Sequence, residues 1–178
     1  SQITSTEPIY APSFHGDGSA LTNLPGGGKV GQVKTYVSTS LLSTTSTSLT
    51  GSGISVSITP TSTASKILVM VMASVGGSLN SLSGLSILRG STLIGTAANV
   101  GSRVGVMSGS NNSQSAYCLS SAYLQFLDSP STTSSTTYEI AFQARSGMTT
   151  YLNRSQQDTD AQYTNRGTTS IIAMEILP

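Results

Sequence analysis

The sequence predicts an all-β domain, an antiparallel sandwich or barrel, and three observations carry that reading. Short apolar runs recur from residue 29 onward, and several alternate strictly with hydroxyl residues. Serine and threonine make up 58 of the 178 residues (34 Ser, 24 Thr), so strand-favouring Thr and turn-favouring Ser punctuate the chain throughout. No window of a dozen residues carries a helical stripe, and strands this frequent with turn signals between them read as a sandwich or barrel.

Taken in order, residues 1–28 stand apart. They hold three of the six prolines, the one histidine and the run Gly26-Gly27-Gly28, and their sparse apolar residues show no period. The triple glycine reads as a flexible joint, which makes 1–28 a shaft or connector and 29–178 the folded head. Strand candidates follow at 30–37, 53–60, 66–73, 86–88, 117–127, 138–145, 148–153 and 171–177. In Gly53-Ile54-Ser55-Val56-Ser57-Ile58-Thr59-Pro60 the alternation is strict and a proline ends it. In 138–145, Tyr138, Ile140, Phe142 and Ala144 are expected to face inward. Two candidates break the alternation. Lys66-Ile67-Leu68-Val69-Met70-Val71-Met72-Ala73 is apolar on both faces, and so is 171–177 apart from Glu175. A sandwich sheet has one face toward water, so these strands need a second cover, and another copy of the same sheet is the simplest one. Oligomerisation is therefore expected.

Composition narrows the function. Charged residues are 8% of the chain and the formal net charge is +1, which leaves too few clustered cations for a nucleic-acid binder. The longest unbroken apolar run, 67–73, is far short of a membrane span, so no membrane insertion is expected. Cys118 is the one cysteine, which excludes an internal disulfide and reads as a small buried hydrophobe. The chain opens on Ser1, as a fragment or a processed product would.

The most distinctive string is Pro12-Ser13-Phe14-His15-Gly16-Asp17-Gly18-Ser19-Ala20-Leu21-Thr22-Asn23-Leu24-Pro25. A phosphate cradle at Gly16-x-Gly18 needs a strand before it and a helix after it, and neither is present. His15 has no partner ligand for a metal. The string is a glycine turn flanked by Phe14, Leu21 and Leu24, which can dock only on something outside so short a segment.

That motif resembles one that recurs in tail-fibre and related appendage proteins of tailed bacteriophages, where a slender trimeric shaft joins a following module. Residues 53–62, 66–69, 137–145, 151–154 and 171–176 are similar to stretches of the head domains found after it. The resemblance implies a homotrimeric β-sandwich knob of jelly-roll type at the end of a fibre, located on the virion as a tail or capsid appendage. It implies that residues 1–28 engage other virion fibre or tail proteins. It transfers no catalytic residue and no cofactor.

The residues themselves offer no triad and no paired carboxylates, since Asp128, Glu139, Asp158, Asp160 and Glu175 stand singly in the sequence. No enzymatic activity is expected. Asp158-x-Asp160 with Gln156 and Gln157 reads as a solvated loop ahead of a cation site. Asn111-Asn112-Ser113 and Asn153-Arg154-Ser155 match the glycosylation sequon. The expected function is adhesion to a host cell-surface glycan or outer-membrane protein; the alternative is a structural fibre or decoration protein without receptor binding. The site is placed at 153–166, where four of the 15 charged side chains gather. Its contact set is Tyr151, Arg154, Asp158, Asp160, Tyr163 and Arg166. The polar loop 108–115 is next in line.

Overall fold

The computed structural model describes residues 29–112 and 115–178. The connector at 1–28, with Phe14, Leu21 and Leu24, lies outside the described residues. The rest forms eleven strands: β1 (Val30–Ser38), β2 (Leu42–Thr44), β3 (Thr50–Ile58), β4 (Lys66–Gly77), β5 (Ser81–Arg89), β6 (Thr92–Ile94), β7 (Ser108–Asn112), β8 (Ser120–Asp128), β9 (Thr136–Ala144), β10 (Thr150–Leu152) and β11 (Thr169–Ile176). All pairings are antiparallel and the described residues contain no helix.

Several of these strands lie end to end. On one side of β4, β11 pairs residues 66–72 and β10 pairs residues 75–77, so the two continue one line. Next to that line, β1 pairs β11 and β2 pairs β10, which makes β1 and β2 a second continuous line. β8 occupies the other side of β4. The first sheet thus has four lines, in the order β1/β2, β11/β10, β4, β8. In the second sheet β3 pairs β9, β9 pairs β5, and β6 and β7 share the far side of β5. That sheet also has four lines.

The core lies between the two sheets. Odd-numbered residues of β4 (Ile67, Val69, Val71, Ala73, Val75) are buried against Ile54, Val56 and Ile58 of β3 and Tyr138, Ile140 and Phe142 of β9. The expected inward set of β9 is thereby met, since Ala144 is buried as well. Burial of such side chains removes apolar surface from water at about 25 cal/mol per Å2, the term that drives the two sheets together. Three polar links stitch the core margins. Ser83 and Thr150 join hydroxyls at 2.7 Å across the sheets. Arg89 donates to both oxygens of Asp128 at 2.9 and 3.0 Å, and the Tyr138 hydroxyl donates to the same carboxylate at 2.7 Å. Burial and that bond to Asp128 push the Tyr138 phenol above its ordinary pKa. Glu175 is fully buried and accepts from the Thr61 backbone N–H (2.6 Å), the Thr61 hydroxyl (2.8 Å) and the Gln32 amide (2.8 Å).

Three sequence expectations are corrected. Residues 108–112 of the expected polar loop are strand β7, whose Ser-Gly-Ser-Asn-Asn text lacks any apolar signal. The strand expected at 86–88 begins at Ser81, because Ser81 and Ser83 face the core while Leu82 faces out, an inversion of the usual pattern. Cys118 is half-buried just before β8 and is not a core residue.

Leu68, Met70, Met72 and Ser74 of β4 open outward and are half-buried, as are Ile172, Met174 and Ile176 of β11. The register sets them in rows: Val33, Met174, Leu68 and Leu127 form one, and Val37, Ser170, Met72 and Tyr123 another. This outer face carries no charged side chain in those rows.

Candidate functional site

The loop expected to carry the site leaves the molecule in the middle of a strand line. β10 ends at Leu152, β11 begins at Thr169, and the chain between them makes an excursion from the side of β4. Asn153 creates the exit. It adopts a left-handed backbone (φ 67°), which Asn tolerates better than most residues. Its N–H donates to the Ser74 carbonyl (2.9 Å) and its own carbonyl accepts from Gly167 (3.0 Å). Its amide donates to the carbonyls of Ser38 (3.1 Å) and Ser40 (2.9 Å) and accepts from the Thr169 hydroxyl (2.7 Å). One fully buried side chain therefore seals the gap between β1 and β2 and fixes both feet of the loop. The same burial closes the Asn153 sequon to modification.

Above this anchor, Arg154 and Arg166 form an antiparallel bridge across the neck. Their charges are handled separately. Arg154 lies 4.0 Å over the Tyr151 ring and donates to the carbonyls of Ser155 (3.4 Å) and Gln156 (3.1 Å). Arg166 forms a two-pronged bond to Asp158 at 3.0 and 3.1 Å, which holds the Asp158 carboxyl below its ordinary pKa and the guanidinium above its own. Gly76 is required beneath the neck, because a Cβ there would collide with the Arg154 carbonyl. Higher up, the Thr164 hydroxyl reaches the carbonyls of Thr159 (2.6 Å) and Ala161 (2.8 Å) and curls the tip. The curl encloses a hollow of about 490 Å3 lined by Asp158, Thr159, Asp160, Ala161, Thr164 and Arg166.

The six expected contact residues divide into three groups. Asp158, Asp160 and Arg166 line the hollow together. Tyr163 stands exposed beside it, and Tyr151 and Arg154 lie below, occupied with each other. A further residue joins them. Tyr117 meets Tyr163 edge to face with ring centres 4.9 Å apart, and Gln157 donates to the Ala116 carbonyl at 3.0 Å, so 115–119 is part of the same surface. Tyr117 escaped the sequence reading because it was placed inside a strand that starts at Ser120.

The hollow can accept and donate hydrogen bonds to hydroxyl-rich ligands: Asp160 offers free carboxylate oxygens, Thr159 and Thr164 offer hydroxyls, and two exposed tyrosine rings stand alongside. Among the described residues no group of three or more His, Cys, Asp or Glu side chains comes together. The other side-chain carboxylates of the described residues are each engaged elsewhere: Asp128 with Arg89, Glu139 with the Gly53 N–H at 2.6 Å, and Glu175 with Thr61 and Gln32.

The position of this surface matters. Val30 and Lys66 both pair Ile176, and the Lys29 carbonyl accepts from Leu177, so the chain enters and leaves at one end of the first sheet. The loop departs beside Ser74, eight residues further along β4, or about 26 Å at 3.3 Å per residue. No protein-family model matches the chain, and no curated protein matches it in sequence.

Proposed function

We propose that this chain is the tip domain of a virion fibre, which binds a host cell-surface glycan or outer-membrane protein through the 153–166 loop. The observation that carries this reading is polarity. The hollow and the exposed Tyr117–Tyr163 pair lie toward the end of the sandwich opposite the entry of residues 1–28. A shaft attached at Lys29 would present them to whatever the fibre meets.

Two structural readings accompany it. The order of the four lines in each sheet is that of a jelly roll: numbering the eight lines in chain order gives 1-8-3-6 in the first sheet and 2-7-4-5 in the second. The outer face of the first sheet is the homotrimer contact, with a second copy as its cover. Val30, Val33, Val37, Tyr123 and Leu127 on that face are 48–70% exposed, which amounts to on the order of 500 Å2 of apolar surface, the upper end of the largest patch on a monomer. The loop closes the distal end of this face at Gly76, so association there would set three loops side by side. Weak contacts made three at a time give useful avidity.

The test is binding of the intact protein to host cells, with competition against infection. Tyr163→Ala combined with Arg166→Ala should abolish binding while the melting temperature stays unchanged. Undiminished binding by the double variant moves the site elsewhere. Failure of the unsubstituted protein to bind or compete favours the structural reading, a capping knob that recognises nothing.

A further inference from the structure

The hollow of the 153–166 loop is preorganised and holds a definite set of free groups. Asn153 fixes the feet of the loop below the neck. At the tip, the Thr164 hydroxyl is bonded to the Thr159 and Ala161 carbonyls. A ligand therefore meets a lining already in place, with little ordering left to oppose binding. Arg166 uses Nε and Nη2 on Asp158, at 3.0 and 3.1 Å, which leaves both N–H groups of its Nη1 for a ligand. Among the described residues Asp160 is the one side-chain carboxylate without a hydrogen-bond or ion-pair partner, since Asp128, Glu139, Asp158 and Glu175 are each engaged. Its two oxygens are open to whatever enters the hollow it lines.

These groups select among ligands. Two carboxylates and one guanidinium line the hollow, so it carries one net negative charge, and Arg154 is turned to the Tyr151 ring and does not line it. An acidic sugar would set its own charge against Asp160, and to pair with Arg166 it would have to displace the fork that Asp158 fills. A protein segment finds no anchoring pocket, because the apolar lining is Ala161 and the threonine methyls. A neutral sugar suits both free groups. Two neighbouring ring hydroxyls can donate together to the two oxygens of one carboxylate, and a third sugar oxygen can accept from the guanidinium. Tyr163, exposed beside the hollow, adds a flat face for the ring C–H groups. Its edge-to-face contact with Tyr117 leaves at least one face of its ring uncovered by that partner. The volume of about 490 Å3 lies in the range of clefts that take small ligands.

We propose that this hollow binds an uncharged sugar ring whose vicinal diol donates both hydroxyls to Asp160, and that it turns away sugars carrying carboxylate or phosphate. The inference deepens the adhesion reading and rests on it for placing that sugar on a host surface. It decides for a glycan over an outer-membrane protein.

The experiment has two arms, both on the intact chain. In the first, host cells are treated with periodate, which cleaves the carbon–carbon bond between neighbouring hydroxyls, or with protease. Periodate should remove binding and protease should leave it. The second arm is saturation-transfer NMR with the methyl glycosides of glucose, galactose and mannose. Its controls are glucuronate, galacturonate and per-O-methylated glucoside, which keeps the ring faces but has no hydroxyl to donate. The expected result is transfer to at least one methyl glycoside and little to any control. Asp160→Asn keeps the shape but exchanges one acceptor for a donor, and should weaken that binding at least ~tenfold, the loss of a charge-assisted hydrogen bond. Its melting temperature should not move, because Asp160 bonds nothing in the fold. Equal transfer to the uronates, no transfer to any of the three glycosides, or undiminished binding by Asp160→Asn would each overturn the assignment. Cell binding lost to protease but kept after periodate would also overturn it, in favour of a protein receptor, and would leave the adhesion reading standing. Glycoside binding through Asp160 in a protein that neither binds host cells nor competes with infection would do the reverse.

Discussion

The two sheets of this sandwich share a core but treat their outer faces in opposite ways. Outside the second sheet, Ser55, Ser57, Thr137 and Glu139 meet water, with Ser57 and Thr137 joined at 2.8 Å, and the 95–107 connection covers much of the remainder. Outside the first sheet, Leu68, Met70, Met72, Ile172, Met174 and Ile176 lie half-covered, and among the described residues the loop at Gly76 closes only one end of that face. Among the described residues, one sheet's outer face is covered by a connection and the other's is largely open. The difference teaches that strict alternation marks a strand with one wet face, whereas its absence marks a strand whose outer face is apolar as well.

The largest expected effect breaks that contrast directly. Met70→Asp or Met174→Asp places a carboxylate on the open face, where burial against another copy would be opposed by several kcal/mol. Sedimentation should fall from a mass of three copies to one, and the thermal melt should remain cooperative because neither side chain enters the core of a single chain. Ser57→Asp on the second sheet is the control and should leave both mass and melt unchanged. A protein that sediments as one copy before any substitution would remove the trimer reading.

How far the fold could be read from sequence follows the same division. The strands at 54–58, 66–73 and 138–144 announced themselves because apolar and hydroxyl residues alternate or because both faces are apolar. β7 and the first half of β5 did not, since Ser81 and Ser83 are buried as hydroxyls and Leu82 turns outward to line a groove. Pattern reading takes a serine as solvent-facing; here Ser83 finds a partner across the sheets in Thr150, whereas the Ser81 hydroxyl is buried without one. At the loop, the clustering of four charges pointed to 153–166, but pairing decides what each does. Arg154 is spent on Tyr151 and nearby carbonyls, and Tyr117 arrives from a segment more than thirty residues away, which no local window contains.

A second test concerns the inner face of the first sheet, where Glu175 is buried in the same cross-strand row as Ile67 and Asp128. Burial alone would raise its pKa, but the bonds from Gln32 and Thr61 outweigh that and hold it at about 2, below the ordinary 4.5. A depressed folded-state pKa contributes stability that is present above about pH 4.5 and is lost as the pH falls toward 2. Glu175→Ala strands the Thr61 N–H and hydroxyl, while the Gln32 amide keeps its bond to the Thr59 carbonyl (2.7 Å), and should destabilise by about 3 kcal/mol in denaturant melts at pH 7. It should also flatten the acid limb of the stability profile. An acid limb unchanged in the variant would show that another carboxylate sets it.

The Arg89–Asp128–Tyr138 link between the sheets should matter less. Tyr138→Phe keeps the ring in the core and leaves Asp128 its two bonds from Arg89, so the loss is about 1 kcal/mol. The size discriminates between a margin link and a true core element. A loss above about 3 kcal/mol, as for a buried side chain removed outright, would mean that the hydroxyl organises the packing of β8 against β9.

The smallest expected effect on stability is at the loop itself. Arg166→Ala removes both bonds to Asp158, yet the pair is exposed and water takes over each partner's hydrogen bonds. The loop's feet do not depend on it, because Asn153 ties the exit to Ser38, Ser40, Ser74, Gly167 and Thr169 below the neck. The melting temperature should therefore show no shift beyond the scatter between scans, at low or high salt. In contrast, Asn153→Ala loses the side-chain bonds and puts alanine at a positive φ, and should lower it clearly. If Arg166→Ala melts as low as Asn153→Ala, the ion pair holds the loop together, and any binding defect in Arg166 variants becomes a folding defect instead of a lost contact.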